Sequence, residues 1–210
     1  MRRAIVLSLI DIAQLVAPKT NPNRPCHIRS AVMSNLDLPL SIVLGVGLAA
    51  ATGFRIFLPM LVVSIAAYSG HLPLDAKFAW LATLPALITL TAATVAEILA
   101  YYVPAIDNLL DALAGPAALV AGVVVSAAVM TDVPPLVKWT AAVIAGGGVA
   151  GLTQGVTTML RAKSTMLTGG VGNVFIPTAE LGGALLVSLL ALAAPLVALG
   201  VVIFFCQRCV

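Results

Sequence analysis

Arg55 constrains the function of this chain most, because it lies inside a long apolar run. The run Leu38–Gly70, LPLSIVLGVGLAAATGFRIFLPMLVVSIAAYSG, carries no other charge. A guanidinium keeps its proton, and at bilayer depth it costs about 2.5 kcal/mol or more. It therefore persists only beside a carboxylate, carbonyl oxygens or water. The sequence predicts a membrane protein with a polar interior around Arg55.

Carboxylates in other apolar segments are the expected partners of Arg55. Glu97 lies on a polar stripe with Thr91, Thr94 and Tyr101, at the spacing of one helix face. In an arrangement of five spans, the second helix ends on the membrane face where the fifth begins. The side chains expected to gather there, as a substrate-binding vestibule leading to Arg55, are Glu97, Glu180, Asp107, Asp111 and Asn173. We further expect Arg55 and Glu97 to approach each other, directly or through water or a ligand.

Each of these residues also has a purely structural interpretation. Glu180 follows the expected N-cap Thr178 by two residues and would then only compensate the helix dipole. Asp107 would be a solvated loop charge. Arg55 would be a structural ion-pair partner of Glu97, an alternative that the sequence leaves open beside substrate binding.

Five apolar blocks position these residues. Apolar residues make up 61% of the chain and charged ones 9%, against about 25% charged in a soluble domain. Gly53 and Pro59 interrupt the first block, which is too long for one straight crossing and too short for two. We predict an all-α, polytopic transmembrane helix bundle of about five spans, with a broken or kinked first helix. The sequence leaves a re-entrant element in this block open. The other blocks are Phe78–Tyr102, Ala112–Met130, Leu136–Leu160 and Glu180–Cys206.

Small residues repeat at intervals of four in two of the blocks. The stripes are Gly45, Ala49 and Gly53 in the first block and Gly147, Gly151 and Gly155 in the fourth. Small residues at this spacing share one helix face and allow close helix packing. The first and fourth spans would run in opposite directions, which predicts an inverted repeat of the kind found in transporters. The alternative is that membrane helices are simply rich in glycine.

Residues 1–32 differ from the rest of the chain in charge. They carry five basic residues and one acidic residue, whereas residues 33–210 carry six basic and seven acidic. We expect residues 1–32 to be a disordered tail or a wrongly assigned start before Met33, rather than a signal peptide, because Asp11 breaks their apolar core. Residues 33–210 then form a single integral membrane domain. The basic pI therefore does not indicate nucleic-acid binding.

Cysteine and histidine predict no metal or redox site. Cys206 and Cys209 form a lone CxxC, and His27 and His71 are isolated. The chain has no recognisable Ser/His/Asp set or HExxH motif. The sequence thus predicts no cofactor, no metal and no enzymatic activity.

Three segments resemble one known family. AAATGFRIFLPML at residues 49–61, PAID at 104–107 and GGVGNVFIPTAE at 169–180 are similar to the bacterial membrane proteins grouped as "domain of unknown function 4126". The resemblance covers about residues 37–204. It implies a multi-pass protein of the bacterial inner membrane, and it carries no activity.

Two functions follow as expectations. The first is a small-solute or lipid carrier with a polar site around Arg55 and Glu97. The alternative is a non-transporting accessory subunit that docks partners, or further copies of itself, through the glycine-rich faces. The bilayer is the expected partner in both. Arg161 and Lys163 are expected to mark the cytoplasmic face.

Overall fold

The fold was analysed in a computed structural model that describes residues 26–101, 104–131, 133–168 and 175–209. Contacts divide the chain into two compact units, Met1–Asn35 and Leu36–Val210, and the contacts described below lie in the second. Every regular element in the described ranges is helical, which confirms the all-α fold. The α-helices of these ranges are α1 (Cys26–Thr52), α2 (Phe57–Tyr68), α3 (Leu84–Ala100), α4 (Pro104–Val129), α5 (Pro135–Ala141), α6 (Gly148–Thr168), α7 (Phe175–Ala193) and α8 (Pro195–Cys209). A 3-10 helix (Ala76–Ala82) precedes α3, and a π-helical segment (Ala142–Gly147) joins α5 to α6.

Two helical stretches in the described residues are long and apolar enough to cross a membrane. They are Pro135–Ser164 and Ile176–Ala193, and the bent pair Ala76–Ala82 and Leu84–Ala100 is a third if it counts as one span. The pair bends by 68°. These lengths match about 30 Å of hydrocarbon at 1.5 Å per residue. These helices indicate an integral membrane protein.

The first apolar block folds as a hairpin of two short helices. The Phe57 amide lies beside Glu97 and the Ser64 hydroxyl beside the Leu81 carbonyl, so α2 runs antiparallel to α3. The end of α3 lies beside the start of α4, so these two helices are antiparallel. The first half of the described part of α1 lies beside the end of α4, so α1 is antiparallel to α4 as well. The helices α1 and α2 therefore run in opposite directions. We call residues 39–68 the first hairpin and residues 53–56 its tip.

The last apolar block, expected to be one helix, is divided at Ala194. Pro195 has no N–H and starts a new helix. A Cβ built at Gly47 would lie 3.2 Å from the Ala191 Cβ and 3.5 Å from the Ala198 Cβ. These alanines are three and four residues from Ala194, so α7 and α8 lie side by side and form a second hairpin. The prediction of a single helix over Glu180–Cys206 is wrong because the proline interrupts it.

The two hairpins pack against each other in opposite orientations. Phe54, at the first tip, lies 3.8 Å from where a Gly183 Cβ would be and 5.1 Å, between ring centroids, from Phe205. Gly47, farther from that tip, contacts Ala191 near the end of α7. Helix α7 therefore runs antiparallel to α1, and each hairpin points its turn toward the open end of the other.

One end of the bundle carries both tryptophans of the chain. Trp80 and Trp139 are exposed, as expected for side chains at a membrane interface. Between them Lys138 forms a largely buried ion pair with Asp75. Arg161 lies 23 residues beyond Lys138 along the same helical stretch, which corresponds to about 35 Å. The tip residues thus lie toward the end of the bundle opposite the tryptophans.

The first small-residue stripe lies in close helix contacts. A Cβ added at Gly53 would lie 2.5 Å from the Ala150 carbonyl oxygen, and one at Gly45 would lie 3.2 Å from the Ser126 carbonyl oxygen. Ala49 between them is fully buried. These distances allow only glycine at Gly53 without movement of the neighbouring backbone.

The second stripe contacts α4 over two of its three residues. A Cβ at Gly147 would lie 3.0 Å from a Val123 methyl, and one at Gly151 would lie 2.6 Å from a Leu119 methyl. A Cβ at Gly155 would meet no atom of the described chain within 4 Å. Gly155 faces outward, so the contact expected for it is absent from this part of the chain.

Candidate functional site

The tip of the first hairpin lacks a side-chain cap of its own. Ile56 occupies the N-cap position of α2 and makes no side-chain capping bond. The first amides of a helix need an acceptor from elsewhere. Glu97 supplies it: the Ile56 N–H donates to Oε1 at 2.9 Å and the Phe57 N–H donates to Oε2 at 3.2 Å. The Glu97 carboxylate therefore holds the start of α2, where the helix dipole also favours an anion.

Arg55 is almost completely buried at the same tip. Only 2% of its surface is exposed. Its Nη2 donates to the Pro177 carbonyl oxygen at 2.9 Å, and its guanidinium carbon lies 4.0 Å from the Tyr101 ring centroid. Among the described residues, Nε and Nη1 find no hydrogen-bond acceptor, and no carboxylate forms an ion pair with this guanidinium. Arg55 is thus a buried cation with donors that find no acceptor in the described part of the chain.

A second arginine completes the cluster. Arg161 binds Glu180 in bidentate fashion: its Nε donates to Oε1 at 2.9 Å and its Nη2 donates to Oε2. Both side chains are buried. The Arg161 guanidinium carbon lies 4.5 Å from the Tyr101 ring centroid. Tyr101, the residue that ends α3, therefore contacts two guanidinium groups, an arrangement that the face of an aromatic ring favours.

The structure brings together three of the residues predicted for the site. Arg55, Glu97 and Glu180 surround Tyr101, and Arg55 and Glu180 lie within electrostatic range of Glu97. Glu97 binds the two amides that follow Arg55 rather than its guanidinium, so no direct ion pair forms between them.

The remaining predicted polar residues cannot be placed at the site. Asp107 and Asp111 lie in α4, but their side chains are outside the described residues. Asn173 falls outside the described residues entirely.

Arg161 and Tyr101 are site residues that sequence reasoning missed. Arg161 was assigned to a membrane face, and Tyr101 was noted only as part of a stripe. A signal for Arg161 existed, because Gln154, Thr157 and Arg161 recur at the spacing of one helix face, and all three are buried. A polar stripe inside an apolar helix predicts an inward face, not a loop.

A groove of about 440 Å³ lies beside the cluster. Its walls come from the start of α2 and from α3 and α4. Glu97 and Tyr101 form the part of the wall nearest the cluster, and the rest is alanine, leucine and the side chains of Ile56 and Phe57. The groove therefore joins an apolar surface to Glu97 and Tyr101.

The four charged side chains balance one another when both carboxylates are ionised. Arg161 and Glu180 form one neutral pair, and Arg55 and Glu97 are the remaining cation and anion. Chemically, the cluster offers unused guanidinium donors for an oxyanion and a buried carboxylate that can exchange a proton. Among the described residues, no group of three His, Cys, Asp or Glu side chains is placed to hold a metal ion.

Comparison with known proteins agrees with the resemblance seen in three sequence segments. Neither a curated protein nor a solved structure matches the chain. A family model described as "Domain of unknown function (DUF4126)" matches residues 42–210, a range that includes all but the first three residues of the first hairpin, the whole second hairpin and the charge cluster. The protein therefore belongs to the DUF4126 family.

Proposed function

We propose that the protein is a membrane carrier for a small anionic solute and that Arg55 binds the anion. One observation carries the proposal: Arg55 is 2% exposed, and two of its guanidinium nitrogens find no acceptor among the residues that the structure describes. An unused donor in a buried site costs about 1–3 kcal/mol, and more when it is charged. An oxyanion would accept from these donors in charge-assisted hydrogen bonds, which are the strong ones.

The location of Arg55 supports an anion rather than a cation. The residue directly precedes the start of α2, where amide groups give a partial positive charge. Arg161 lies on the same tyrosine ring, so a second positive group is close. Glu97 and Glu180 are already bound to amides and to Arg161 respectively.

The hairpins support a carrier rather than a fixed binding protein. Carriers often place their sites where helices are broken, within inverted repeats. The first and second hairpins are broken elements of opposite orientation that contact each other at Phe54 and Gly47. We infer that the two hairpins are the inverted pair, in place of the glycine-stripe repeat predicted from the sequence.

The accessory-subunit alternative receives less support. It depends on glycine faces that are open to a partner, whereas Gly45, Gly53 and Gly147 contact helices of the same chain. Self-association through outward glycines such as Gly155 stays a proposal. We also favour binding over catalysis, because the polar groups of the cluster are bound to backbone, to a ring or to each other rather than arranged as a nucleophile and base.

Uptake of anions into liposomes tests the proposal. Protein reconstituted in liposomes is expected to take up labelled acetate or nitrate faster than empty liposomes, and Arg55→Gln is expected to abolish the difference. Arg208→Gln is the matched control, because it removes an exposed arginine at the other end of the sequence. Equal uptake by Arg55→Gln and the unaltered protein would contradict the assignment.

A lipid headgroup offers the same oxyanion chemistry as a free solute. Mass spectrometry of the protein released from detergent distinguishes these sources. A retained anionic lipid that Arg55→Gln loses, together with no uptake of acetate or nitrate, would identify a lipid as the ligand.

A further inference from the structure

We infer that binding of a monovalent oxyanion at Arg55 is accompanied by uptake of one proton at Glu97, so that the carrier moves the anion and a proton together. This inference rests on the proposed function and adds its coupling ion. It follows from the arrangement of charges around the hairpin tip, where Arg55 directly precedes in sequence the two residues whose amides Glu97 binds.

The charge balance of the buried cluster leads to this coupling. Without a ligand, Arg55 is offset by Glu97, and Arg161 is offset by Glu180. An anion bound to Arg55 would leave one uncompensated negative charge in a site with almost no exposure. An unpaired charge in such a place is strongly disfavoured, and protonation of one carboxylate restores neutrality.

Glu97 is the carboxylate that can accept the proton with the least disruption. Glu180 is held by two hydrogen bonds to Arg161, and its protonation would strand that arginine. Glu97 is held by two neutral amides, and no cation of the described ranges forms an ion pair with it. The charged and titratable groups around it are Arg55, Glu180, Arg161 and Tyr101, while Asp107 and Asp111 of α4 have side chains outside the described residues.

Protonation also leaves the tip in place. The Glu97 carbonyl oxygen continues to accept from one of the two amides, so the start of α2 keeps an acceptor. The new O–H donates a hydrogen bond to an oxygen of the anion or to another nearby acceptor. One O–H bond forms at Glu97 from a solvent proton, no other covalent bond changes, and the net charge of the loaded site is zero.

The same balance predicts a preference for monovalent anions. A divalent anion such as sulfate would keep one negative charge after Glu97 has taken up its proton. The single negative charge of acetate is balanced by that one proton. The groove lined by alanine and leucine beside Glu97 and Tyr101 suits the apolar part of a small carboxylate.

Proton uptake on binding is measured directly with purified protein in weakly buffered solution. Sodium acetate is added at pH 7, where acetate itself is ionised, and a pH-sensitive dye reports protons removed from solution while binding is measured by calorimetry. About one proton per bound acetate is expected. The acetate affinity should fall about tenfold per pH unit at pH values where free Glu97 is ionised.

Glu97→Gln is the decisive variant, because an amide oxygen still accepts from Ile56 or Phe57 but carries no charge. It is expected to bind acetate without proton uptake and with little dependence on pH. Thr91→Val, an exposed change on the same helix, is expected to behave like the unaltered protein. Retained folding of each variant is checked by its unfolding midpoint.

The possible results distinguish failure of the proton coupling from failure of the anion site. Acetate binding without proton uptake, or proton uptake that persists in Glu97→Gln, would overturn the coupling and leave the anion site intact. Absence of binding for acetate, nitrate and sulfate alike would overturn the proposed function itself. Sulfate binding as tight as acetate, with one proton taken up for each, would contradict the charge balance.

Discussion

Replacement of Gly53 by alanine tests whether the hairpin tip is held by direct backbone contact with α6. The added Cβ would lie 2.5 Å from the Ala150 carbonyl oxygen and 2.9 Å from the Gln154 amide nitrogen. Ordinary contacts of a Cβ begin at 3.4 Å, so the tip and α6 would have to separate by about 0.9 Å. Backbone atoms cannot rotate away as a side chain does. We expect a loss of about 1–3 kcal/mol in the free energy of unfolding.

The displacement should also reach the charge cluster. The Ile56 and Phe57 amides lie 2.9 and 3.2 Å from the Glu97 carboxylate oxygens, and the second of these distances is at the upper limit of a normal hydrogen bond. If the tip moves by a large part of the required separation, at least one of these bonds breaks. Gly53→Ala should therefore weaken anion binding as well as stability, although Gly53 contacts neither Arg55's donors nor Glu97.

Two matched changes on α6 make the test sharp. Gly155→Ala adds the same methyl group where no atom of the described chain lies within 4 Å, and alanine is favoured over glycine inside a helix by about 1 kcal/mol. It should leave stability unchanged or raise it. Gly151→Ala would approach the end of the flexible Leu119 side chain, so its cost should be intermediate.

Unfolding midpoints in detergent, measured by heat and by denaturant, rank the three variants. The expected order of stability is Gly155→Ala, then Gly151→Ala, then Gly53→Ala. A Gly53→Ala protein as stable as Gly155→Ala would show that the tip is not in contact with α6. The opposed-hairpin packing would then need revision.

Three further changes test the charged groups. Glu97→Leu leaves two amides without an acceptor, which should lower the free energy of unfolding by about 1–3 kcal/mol for each amide. A double-mutant cycle with Arg55→Leu should show a coupling energy of about 0.5–3 kcal/mol. Strictly additive losses would mean that the two charges do not interact. The hydrogen bond from Lys138 lowers the pKa of Asp75 in the folded protein. The pair therefore stabilises the fold at pH values above the pKa of an unfolded aspartate, about 3.9, and the effect is lost as the pH falls through the lower pKa of the folded state. Asp75→Asn should flatten the pH dependence of the unfolding midpoint between about pH 2 and 5. Glu180→Gln strands Arg161 and should cost about 3–5 kcal/mol, more than the exposed control Lys163→Gln in the same unfolding assay.

Arg55 and Glu97 were predictable because their signal is local. A charge inside an apolar helix needs a partner wherever the helix packs, and this holds without knowledge of the fold. The identity of the partner is not local. Glu97 was expected to meet the Arg55 guanidinium or a ligand, and it binds the amides of Ile56 and Phe57 because the chain reverses beside it.

The direction of the hairpins could not be predicted from hydropathy. Apolar length shows that a segment lies in the membrane, but a break with glycine, arginine and proline is compatible with a kink or with a full reversal. Contacts with other helices decide between them, as at Gly53 against Ala150. Pro195 was a local signal for the second break, and the length of the block Glu180–Cys206 outweighed it.

The orientation in the membrane stays a prediction. Positive residues indicate the cytoplasmic face when they lie in loops. Arg161 and Lys138 are buried in ion pairs with Glu180 and Asp75, so neither is a loop charge. The expectation that Arg161 and Lys163 mark the cytoplasmic face therefore depends on Lys163, which is exposed.

The geometry of the tip is an argument for the proposed ligand-binding role of Arg55 over a purely structural one. Reversal of the chain at residues 53–56 exposes the first amides of α2, and Glu97 alone satisfies Ile56 and Phe57. Glu180 is satisfied by Arg161 without help from the tip. A hydrophobic residue at position 55 would then leave no acceptor unbound except the Pro177 carbonyl, which a helix can pair internally. Arg55 instead adds a buried positive charge that offsets Glu97, together with two donors that find no acceptor among the described residues. Those donors are a cost for the empty protein, and a bound anion would satisfy them.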